Sequence, residues 1–458
     1  MVTSITPRLG RLEGALRRTV PDERVLTSGA DYESSRTIAN GAIPDRPGVI
    51  VRCLDVADVQ AAVRAAREFD VPLSVRSGGH DWAGRALTDG GLTIDISGMR
   101  GVTVHPDDRI AVLEGGANCA DVAKAAQPYG LDAATGTAGT VGMVGLSLGG
   151  GYGPLCGKLG LALDNMVSAD VVLPDGELVT ADAERNAELF WALRGGGGNF
   201  GVVTAMRIRL HSLPALLSGM IMYPMEQAAD ALASVADFVP AGGPDELTVQ
   251  CGFVAGPDGA PALFIAPTWS GDTDAGEPVL ARLAGFGKPL MAHVGPVTLA
   301  DLLAGMDGRF VFGRHMDVRT RTVAALTPEV RDVLNSGAQE MTSPLSGIVL
   351  HSLRGAATRV PVGDTAFGNR TAHVMVEMIA VWEPDDVPQR HRAWLHELSS
   401  ALAPHAMPGG YPNLLGPDAA DQIEDAYGPN STRLLAAKRR FDPDGVFRAL
   451  LIPDTRRA

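Results

Sequence analysis

The first third of the chain alternates short apolar runs with amphipathic segments. Residues 49–76 contain a short strand pattern, a stretch in which Val56, Val59 and Val63 share one helical face, and a second strand pattern, with Asp55 at the expected N-cap. Later, VTVH pairs with RIAVLE and MVSADVVL pairs with ELVTA, each pair around a turn. The pattern predicts a β-α-β unit followed by two hairpins, with a helix between them capped by Asn118.

Beyond about residue 215 the pattern changes to longer helices and β-rich runs. Helical periodicity is expected there at 225–238, 277–285 and 326–338, and strands at 247–254, 263–269, 346–353 and 373–382. A further helix is expected earlier, at 183–194, just before the third cluster of glycines. The last fifty residues return to a compact helical pattern. We predict an α+β protein with a first domain in two subdomains at 1–214, a second α+β domain at 215–410, and a C-terminal segment, 411–458, that packs back on the first domain.

Glycine is the unusual component of the composition. The chain has 55 glycines, well above the ~7% typical of proteins, and many fall in three runs at 77–80, 136–153 and 195–201. The middle run fits neither a helix nor a strand, and such loops offer backbone N–H groups to a pyrophosphate. The spacing matches neither the Rossmann nor the P-loop motif. Tight turns without a ligand are the alternative interpretation of each run.

Charge and cysteine content narrow the function classes. The chain has 39 Lys and Arg against 53 Asp and Glu, a net charge of −14, which disfavours nucleic acid and anionic membranes as partners. The four cysteines are scattered and contain no C-x-x-C pair, the start does not resemble a leader, and no apolar run has the length of a membrane span. We therefore expect a soluble, cytoplasmic protein. No histidine or carboxylate pattern indicates a metal site.

Seven ordered motifs identify a family. The motifs are RSGGH at 76–80, DGGLTIDISGM at 89–99, EGGA at 114–117, GGGYG at 149–153, LGLALDN at 159–165, ELFWALRGGGGNFGVVT at 188–204 and FDPDGVFR at 441–448. They closely resemble the berberine-bridge-enzyme-like branch of the FAD-linked oxidases of the vanillyl-alcohol-oxidase type. The resemblance implies a two-part FAD-binding domain of that type and a substrate domain whose antiparallel sheet covers the flavin. It also implies a C-terminal segment that returns to the FAD domain.

The resemblance also implies which residues bind FAD. His80 is expected to bond covalently to the 8α-methyl carbon of the flavin, whereas a loop histidine taken alone is more often a hydrogen-bonding residue. The amides of the residues just before it are expected to hold the pyrophosphate. The full set expected to bind FAD is Arg76, Ser77, Gly78, Gly79, His80, Asp81, Gly84, Gly136, Thr137, Thr140, Gly142, Gly145, Gly150, Gly201, Val203, Tyr411 and Asn413.

Departures from the family pattern refine this expectation. Many relatives attach the flavin a second time through a cysteine in G-T-C-x-x-V-G, and here Ala138 stands at that position. We interpret Cys156 as a packing thiol and expect a single attachment, as in 6-hydroxy-D-nicotine-oxidase-like members. In the Y-x-N-Y segment the final tyrosine, a base in many relatives, is replaced by Leu414. Ala449-Leu450-Leu451 replaces an asparagine-containing stretch near the end.

Candidate catalytic residues lie in the predicted strand at 348–354. It aligns with the family strand that faces the flavin, and strand alternation directs either His351 or Ser352 to that face. His351 is the preferred candidate, because an imidazole can accept a proton near neutral pH as hydride leaves the substrate. A histidine that is only structurally bonded is the alternative.

The expected function is FAD-dependent oxidation of a small organic or natural-product molecule. Hydride leaves a C–H bond next to an alcohol or amine, and dioxygen reoxidises the flavin with release of hydrogen peroxide. The alternative keeps the flavin but performs oxygen insertion, oxidative cyclisation or redox-neutral rearrangement. A flavin-binding relic is a more distant interpretation, favoured only if the sheet face is wholly apolar.

Overall fold

Three β-sheets organise the part of the chain that the computed structural model describes, which is residues 6–239, 243–309 and 311–453. Helices pack against these sheets, so the predicted α+β class is confirmed. Among the described residues, no helix is long and apolar enough to cross a membrane.

The first sheet belongs to the N-terminal part of the chain. This part consists of α1 (Thr6–Leu16), β1 (Val25–Leu26), α2 (Ala30–Arg36), β2 (Val49–Arg52), α3 (Val56–Glu68), β3 (Leu73–Arg76) and β4 (Leu92–Asp95). The strand order is β1-β2-β4-β3, and β2 and β3 both pair with β4 in parallel. The predicted β-α-β unit is confirmed, and the Asp55 side chain accepts a hydrogen bond from the N–H of Asp58. The first glycine run therefore begins at the carboxyl end of β3.

The second sheet contains both predicted hairpins. Its part of the chain consists of β5 (Val102–His105), β6 (Ile110–Glu114), α4 (Cys119–Ala126), α5 (Met143–Gly149), α6 (Cys156–Leu159), β7 (Met166–Val172), β8 (Leu178–Ala181), α7 (Ala187–Gly196) and β9 (Val202–Arg209). The order is β5-β6-β9-β7-β8, with antiparallel neighbours. Asn118 and Asp121 cap α4 reciprocally, as expected from the sequence.

Helix α5 corrects the prediction for the middle glycine run. The run was expected to form neither helix nor strand, yet its central residues form this helix. Met143, Val144 and Leu148 are buried in the core around the second sheet, and α5 packs on α7. Burial of these apolar side chains outweighs the low helix propensity of glycine.

The third sheet has seven antiparallel strands. Residues 216–402 form β10 (Leu216–Pro224), α8 (Met225–Phe238), β11 (Leu247–Ala255), β12 (Pro261–Trp269), α9 (Thr273–Ala284), β13 (Met291–Val297), α10 (Leu299–Asp307), β14 (His315–Val323), α11 (Pro328–Gln339), β15 (Gly347–Leu353), α12 (Ala356–Arg359), β16 (His373–Trp382) and α13 (Pro388–Leu402). The order is β13-β10-β12-β11-β15-β16-β14. Sequence patterns missed β10, β13, β14, α10 and α13.

The two faces of this sheet differ. One face packs on α8, α11 and α13 and forms a large apolar core. On the other face, Met220, Val254, Phe264 and Val349 form a smaller cluster, and all four line a cavity. The strands thus position the side chains of the candidate site.

The C-terminal part contacts the first two sheets. It contains α14 (Ala420–Ile423) and α15 (Ser431–Phe441), and α15 packs on α7. Phe447 is buried in the core of the first sheet. Lys438 Nζ donates hydrogen bonds to the carbonyl oxygens of Asn199 and Phe447, both 2.7 Å away. These contacts bring the end of the described chain beside the third glycine run.

Candidate functional site

A cavity of about 640 Å³ lies where the glycine runs meet the third sheet. This volume is within the range of ~300–1,000 Å³ that is usual for ligand pockets. All three glycine runs contribute to its wall, and so do β10, β11, β15 and β16 and the segments around residues 411–414 and 447–450. The cavity thus joins the segments expected to bind a cofactor to a sheet face that can contact a substrate.

The first two glycine runs touch at Gly78 and Gly142. A Cβ atom on Gly78 would lie 2.4 Å from the backbone nitrogen of Gly142, and one on Gly142 would lie 2.8 Å from the nitrogen of Gly78. Real Cβ atoms do not approach other atoms so closely, so both positions require glycine. The Ser77 hydroxyl donates to the Gly115 carbonyl oxygen at 2.8 Å and holds the first run. The resulting wall is backbone with few side chains.

The third glycine run closes another part of the cavity together with the C-terminal segment. Gly197, Gly198 and Gly201 line it beside residues 447–450. Asn199 joins the two segments: its Nδ2 donates to the Leu450 carbonyl oxygen, and its Oδ1 accepts from the Ala449 N–H, each at 2.9 Å. Ala449 and Leu450, which replace the family's asparagine-containing stretch, therefore line the cavity.

His80 stands on the cavity wall and is half-buried. Its Nε2 lies 3.0 Å from Thr140 Oγ1, and its ring contacts Phe312 edge to face with centroids 5.3 Å apart. Burial lowers the pKa of His80 to about 4, and the charge of Asp307 acts in the opposite direction. The imidazole is therefore neutral near pH 7, with one nitrogen unprotonated.

A polar trio, Gln250, His351 and Glu377, occupies the cavity face of the third sheet. Gln250 Nε2 lies 3.2 Å from Nδ1 of His351, and His351 Nε2 lies 2.9 Å from Oε2 of Glu377. Because an amide nitrogen can only donate, Nδ1 accepts, and Nε2 carries the proton that it donates to the carboxylate. In the described part of the chain, Glu377 Oε1 has no hydrogen-bond partner. Glu377 thus keeps one oxygen for another donor.

A second polar group supports this trio. Tyr152 lines the cavity and contacts the rings of His351 and Tyr411 edge to face. Its hydroxyl lies 2.7 Å from Nε2 of His373. The Tyr411 hydroxyl accepts hydrogen bonds from the Gly151 N–H and from Nδ2 of Asn413, and burial raises the pKa of Tyr411 to about 12. Both phenols stay protonated at ordinary pH.

Most of the residues expected from the sequence line this one cavity. The lining residues among them are Ser77, Gly78, Gly79, His80, Asp81, Gly136, Thr137, Gly142, Gly145, Gly201, Val203, His351, Tyr411 and Asn413. Leu414, at the position of the family's tyrosine base, also lines the cavity.

Four residues expected at the cofactor lie outside the cavity lining. Arg76 instead donates hydrogen bonds from its guanidinium to Asp95 and Ser97. Gly84 has a left-handed φ of 80° and would clash with Ile43 if it carried a Cβ. Gly150 lies under the ring of Tyr411, and Thr140 reaches the site only through His80.

Strand β15 settles the orientation of the two catalytic candidates. Val349 and His351 face the cavity. Ser352 stands between His351 and Leu353 in the strand, so its side chain points to the opposite face and does not line the cavity. The expectation that Ser352 could face the cavity is therefore corrected, because the register of β15 turns it away. The thiol of Cys156 contacts the Ser352 carbonyl oxygen at 3.6 Å, and neither Cys156 nor Ala138 lines the cavity.

Sequence reasoning missed Gln250, Glu377, Tyr152 and Asp307. One signal was available for Glu377, because it is the single charged side chain in the strand HVMVEMIAVW. The described residues contain no group of three or more His, Cys, Asp or Glu side chains arranged to hold a metal ion.

Comparisons with known proteins give matches over most of the chain. Family models match an FAD binding domain at residues 47–182 and a berberine and berberine-like segment at 410–450. An FAD-linked oxidoreductase of Gibberella zeae is 31% identical over 438 residues, covering 94% of this chain and 86% of that protein.

Two further comparisons concern 6-hydroxynicotine oxidases. (R)-6-Hydroxynicotine oxidase of Paenarthrobacter nicotinovorans is 29% identical, with 94% of this chain and 96% of that protein covered. The crystal structure of 6-hydroxy-D-nicotine oxidase from Arthrobacter nicotinovorans has a TM-score of 0.85 and 28% identity, with 94% and 97% covered. The similarity in fold confirms the predicted fold class.

Proposed function

We propose, from the premise that the chain belongs to the berberine-bridge-enzyme-like branch of the FAD-linked oxidoreductases, that it oxidises a small organic molecule at a C–H bond next to an alcohol or amine. The observation that carries this proposal is the trio of Gln250, His351 and Glu377 in the same cavity as the glycine runs. A proton acceptor and a cofactor wall in one cavity are what such an oxidation requires.

The cavity fits FAD. Gly78 and Gly142 line the cavity without side chains, and they pack so closely on each other that neither position accepts a Cβ. Backbone amides can therefore approach a pyrophosphate there. The residues around Gly201 and Asn413 would hold other parts of the cofactor. Bound FAD supplies the acceptor for the hydride that the substrate loses.

We assign a single covalent attachment of FAD to His80. Its neutral, half-buried imidazole on the cavity wall supports this assignment. Ala138 cannot form a second bond, and Cys156 lies outside the cavity lining with a thiol whose pKa burial raises to about 11. Cys156 is therefore poorly suited to act as a nucleophile.

Tryptic mass spectrometry tests the attachment. We expect one FAD-modified peptide, the one that contains His80, and flavin that stays with the protein after acid precipitation. Flavin mass on a Cys156 peptide contradicts the assignment. A His80→Ala variant is the matched control, because it keeps the glycine runs and should hold FAD without a covalent bond.

Within the polar trio, we assign proton acceptance to Glu377. Both ring nitrogens of His351 are engaged, Nδ1 by Gln250 and Nε2 by Glu377, so the imidazole has no lone pair for a substrate. It donates its proton to one carboxylate oxygen and thereby fixes the side chain. Glu377 then takes the O–H or N–H proton of the substrate, while His351 positions it.

The remainder of the sheet face favours an apolar substrate body. Met220, Val254, Phe264 and Val349 form one cluster there, and Leu414 lines the same cavity. Val254 and Phe264 are already buried, so a bound substrate gains by covering the part-exposed surface of Met220, Val349 and Leu414, at about 25 cal/mol per Å² of apolar surface. A small molecule with an apolar scaffold and one oxidisable alcohol or amine matches this surface.

We propose dioxygen as the electron acceptor, with hydrogen peroxide as its product. A peroxidase-coupled screen of apolar secondary alcohols and amines identifies a substrate and gives the stoichiometry. One hydrogen peroxide per substrate oxidised supports an oxidase. Heat-inactivated protein and free FAD at the same concentration serve as controls for reactions of flavin in solution.

Leu414 supports a second candidate function. With leucine at the position of the family's tyrosine base, the site could instead carry out oxygen insertion, oxidative cyclisation or redox-neutral rearrangement. Product formed with much less than one hydrogen peroxide per turnover favours redox-neutral rearrangement, and product that contains oxygen from labelled dioxygen favours oxygen insertion. Oxidative cyclisation also releases one hydrogen peroxide, so a product with a newly closed ring identifies it.

A further inference from the structure

We propose that Thr140 and Asp307 are positioning residues for covalent attachment of FAD to His80. This inference rests on the attachment proposed above. It assigns the attachment to three side chains in contact with one another, His80, Thr140 and Asp307. Asp307 comes from a segment far from the glycine runs in sequence, so no local motif points to it.

The contacts form a chain from the imidazole to a carboxylate. His80 Nε2 lies 3.0 Å from Thr140 Oγ1. Asp307 Oδ1 accepts from the Thr140 N–H at 3.1 Å and from its hydroxyl at 3.4 Å. Asp307 thus holds both the backbone and the side chain of the residue that contacts the imidazole.

The neighbouring glycine makes room for the carboxylate. A Cβ atom on Gly139 would lie 2.8 Å from Asp307 Oδ2. A larger residue there would push the carboxylate away from Thr140. The second glycine run therefore has two roles. Part of it lines the cavity expected to bind FAD, and Gly139 leaves space for the Asp307 side chain.

Helix α10 delivers this carboxylate in a fixed position. Asp307 is the last residue of α10, a helix between β13 and β14 of the third sheet. Leu299, Ala300 and Leu303 of α10 are buried in the core around the second sheet, and α10 packs on α4. The helix is anchored to the part of the chain that carries the second glycine run.

The charge of Asp307 suits the chemistry of attachment. A bond forms between an imidazole nitrogen and the carbon of a flavin methyl group. The methyl C–H and the imidazole N–H each lose a proton, and two electrons pass to the flavin ring. Dioxygen then takes up two electrons and two protons as hydrogen peroxide.

As that bond forms, positive charge develops on the imidazole. Burial disfavours the charge, and a nearby carboxylate offsets the penalty. The Thr140 hydroxyl links the ring to that carboxylate. Asp307 therefore acts on His80 through position and charge, and it needs no contact with the cofactor.

The test measures the rate of attachment rather than enzymatic activity. Cells producing the full-length protein are sampled at intervals after induction, and in-gel flavin fluorescence is divided by the amount of protein. Total bound flavin is measured separately on purified protein. The variants are Asp307→Asn, Thr140→Val and Thr140→Ser. Asp301→Asn, an exposed carboxylate on the same helix, is the matched control.

We expect the Asp307→Asn and Thr140→Val variants to attach flavin about tenfold more slowly than the wild-type protein, or more slowly still. A loss of this size does not exceed the usual contribution of one positioned acid–base group. Total bound flavin should stay near the wild-type level. Thr140→Ser retains the hydroxyl and should restore attachment to within about threefold of wild type, as should Asp301→Asn.

Three outcomes overturn the inference, and they differ from one another. Wild-type rates of flavin attachment in Asp307→Asn and Thr140→Val show that Thr140 and Asp307 do not act on His80. Loss of total flavin in all variants, with no rescue by Thr140→Ser, shows a role in folding only. Absence of covalent flavin in the wild-type protein overturns the proposed attachment itself.

Discussion

His351 Nε2 lies 2.9 Å from Oε2 of Glu377, and both side chains enter the cavity from neighbouring strands. The contact is diagonal, because the residue directly opposite Glu377 on β15 is Val349. Gln250, directly opposite His351 on β11, donates to the other ring nitrogen. The sheet register therefore fixes the direction in which the imidazole donates its proton.

Glu377→Gln removes the assigned proton acceptor with little change in shape. We expect kcat/KM to fall on the order of 10²–10⁴-fold, the usual contribution of one positioned base, while FAD content stays unchanged. His351→Ala should cost less, because that variant loses only the orientation of the carboxylate. Steady-state kinetics with one identified substrate measures both.

Glu340→Gln, at an exposed position after α11, controls for loss of charge alone. The assignment fails if Glu377→Gln stays within about threefold of wild type and His351→Ala loses most of the activity. That result would identify the imidazole as the base.

Gly78→Ala tests the contact of the first two glycine runs. A methyl group there meets the backbone of Gly142, so one run must move and the wall of the cavity deforms. We expect a large loss of bound FAD, measured by flavin absorbance per protein. Gly10→Ala, in α1 with no atom near the added methyl group, should retain wild-type flavin.

The sequence predicted those elements whose determinants are local. Helix α3 follows from Asp55 and the spacing of Val56, Val59 and Val63, all within a few residues. Strand β13 was missed because it is a sheet edge with exposed side chains at Met291 and its neighbours, which leaves no apolar alternation. Its pairing with β10 is set by tertiary contacts.

The same distinction holds for the site. His80 lies in a short motif and could be found directly. Glu377 and His351 are 26 residues apart, and Thr140 and Asp307 are 167 apart. The chemistry of each pair depends on how the third sheet and α10 pack, and a single sequence does not contain that information in local form.

Tyr411→Phe tests how the C-terminal segment is fastened to the second glycine run. The phenol accepts hydrogen bonds from the Gly151 N–H and from Asn413. Without it, a buried backbone N–H loses its partner, which costs about 1–3 kcal/mol. Chemical denaturation measures this loss in the free energy of unfolding. Tyr129→Phe, at an exposed ring, should change it little, and an equal effect of both variants contradicts the prediction.

The pH dependence of stability should depend on His373. This side chain is buried, and its Nδ1 lies 2.7 Å from the Thr371 carbonyl oxygen, which can only accept a proton. Nε2 therefore accepts from the Tyr152 hydroxyl. Protonation of Nε2 would break that bond and bury a charge. Burial accordingly lowers the pKa of His373 from 6.5 to about 4.

The sign of the effect follows from proton binding. Between about pH 6.5 and 4 the unfolded chain binds a proton at this histidine and the folded chain does not, so stability falls as the pH falls through that window. Burial also lowers the pKa of His211 to about 4, which acts in the same direction. Burial raises the pKa of Asp132 to about 6, so the folded chain keeps a proton that the unfolded chain loses. Asp132 therefore opposes the two histidines.

His373→Gln isolates the contribution of this one histidine. Glutamine can keep a donor and an acceptor but does not titrate. Between pH 7.5 and 5, we expect the free energy of unfolding to decrease by about 2 kcal/mol less in the variant than in the wild-type protein. Urea denaturation at both pH values measures the difference. His105→Gln, an exposed histidine on β5, should keep the wild-type dependence. If His373→Gln also keeps it, the buried imidazole does not set the acid sensitivity of the fold.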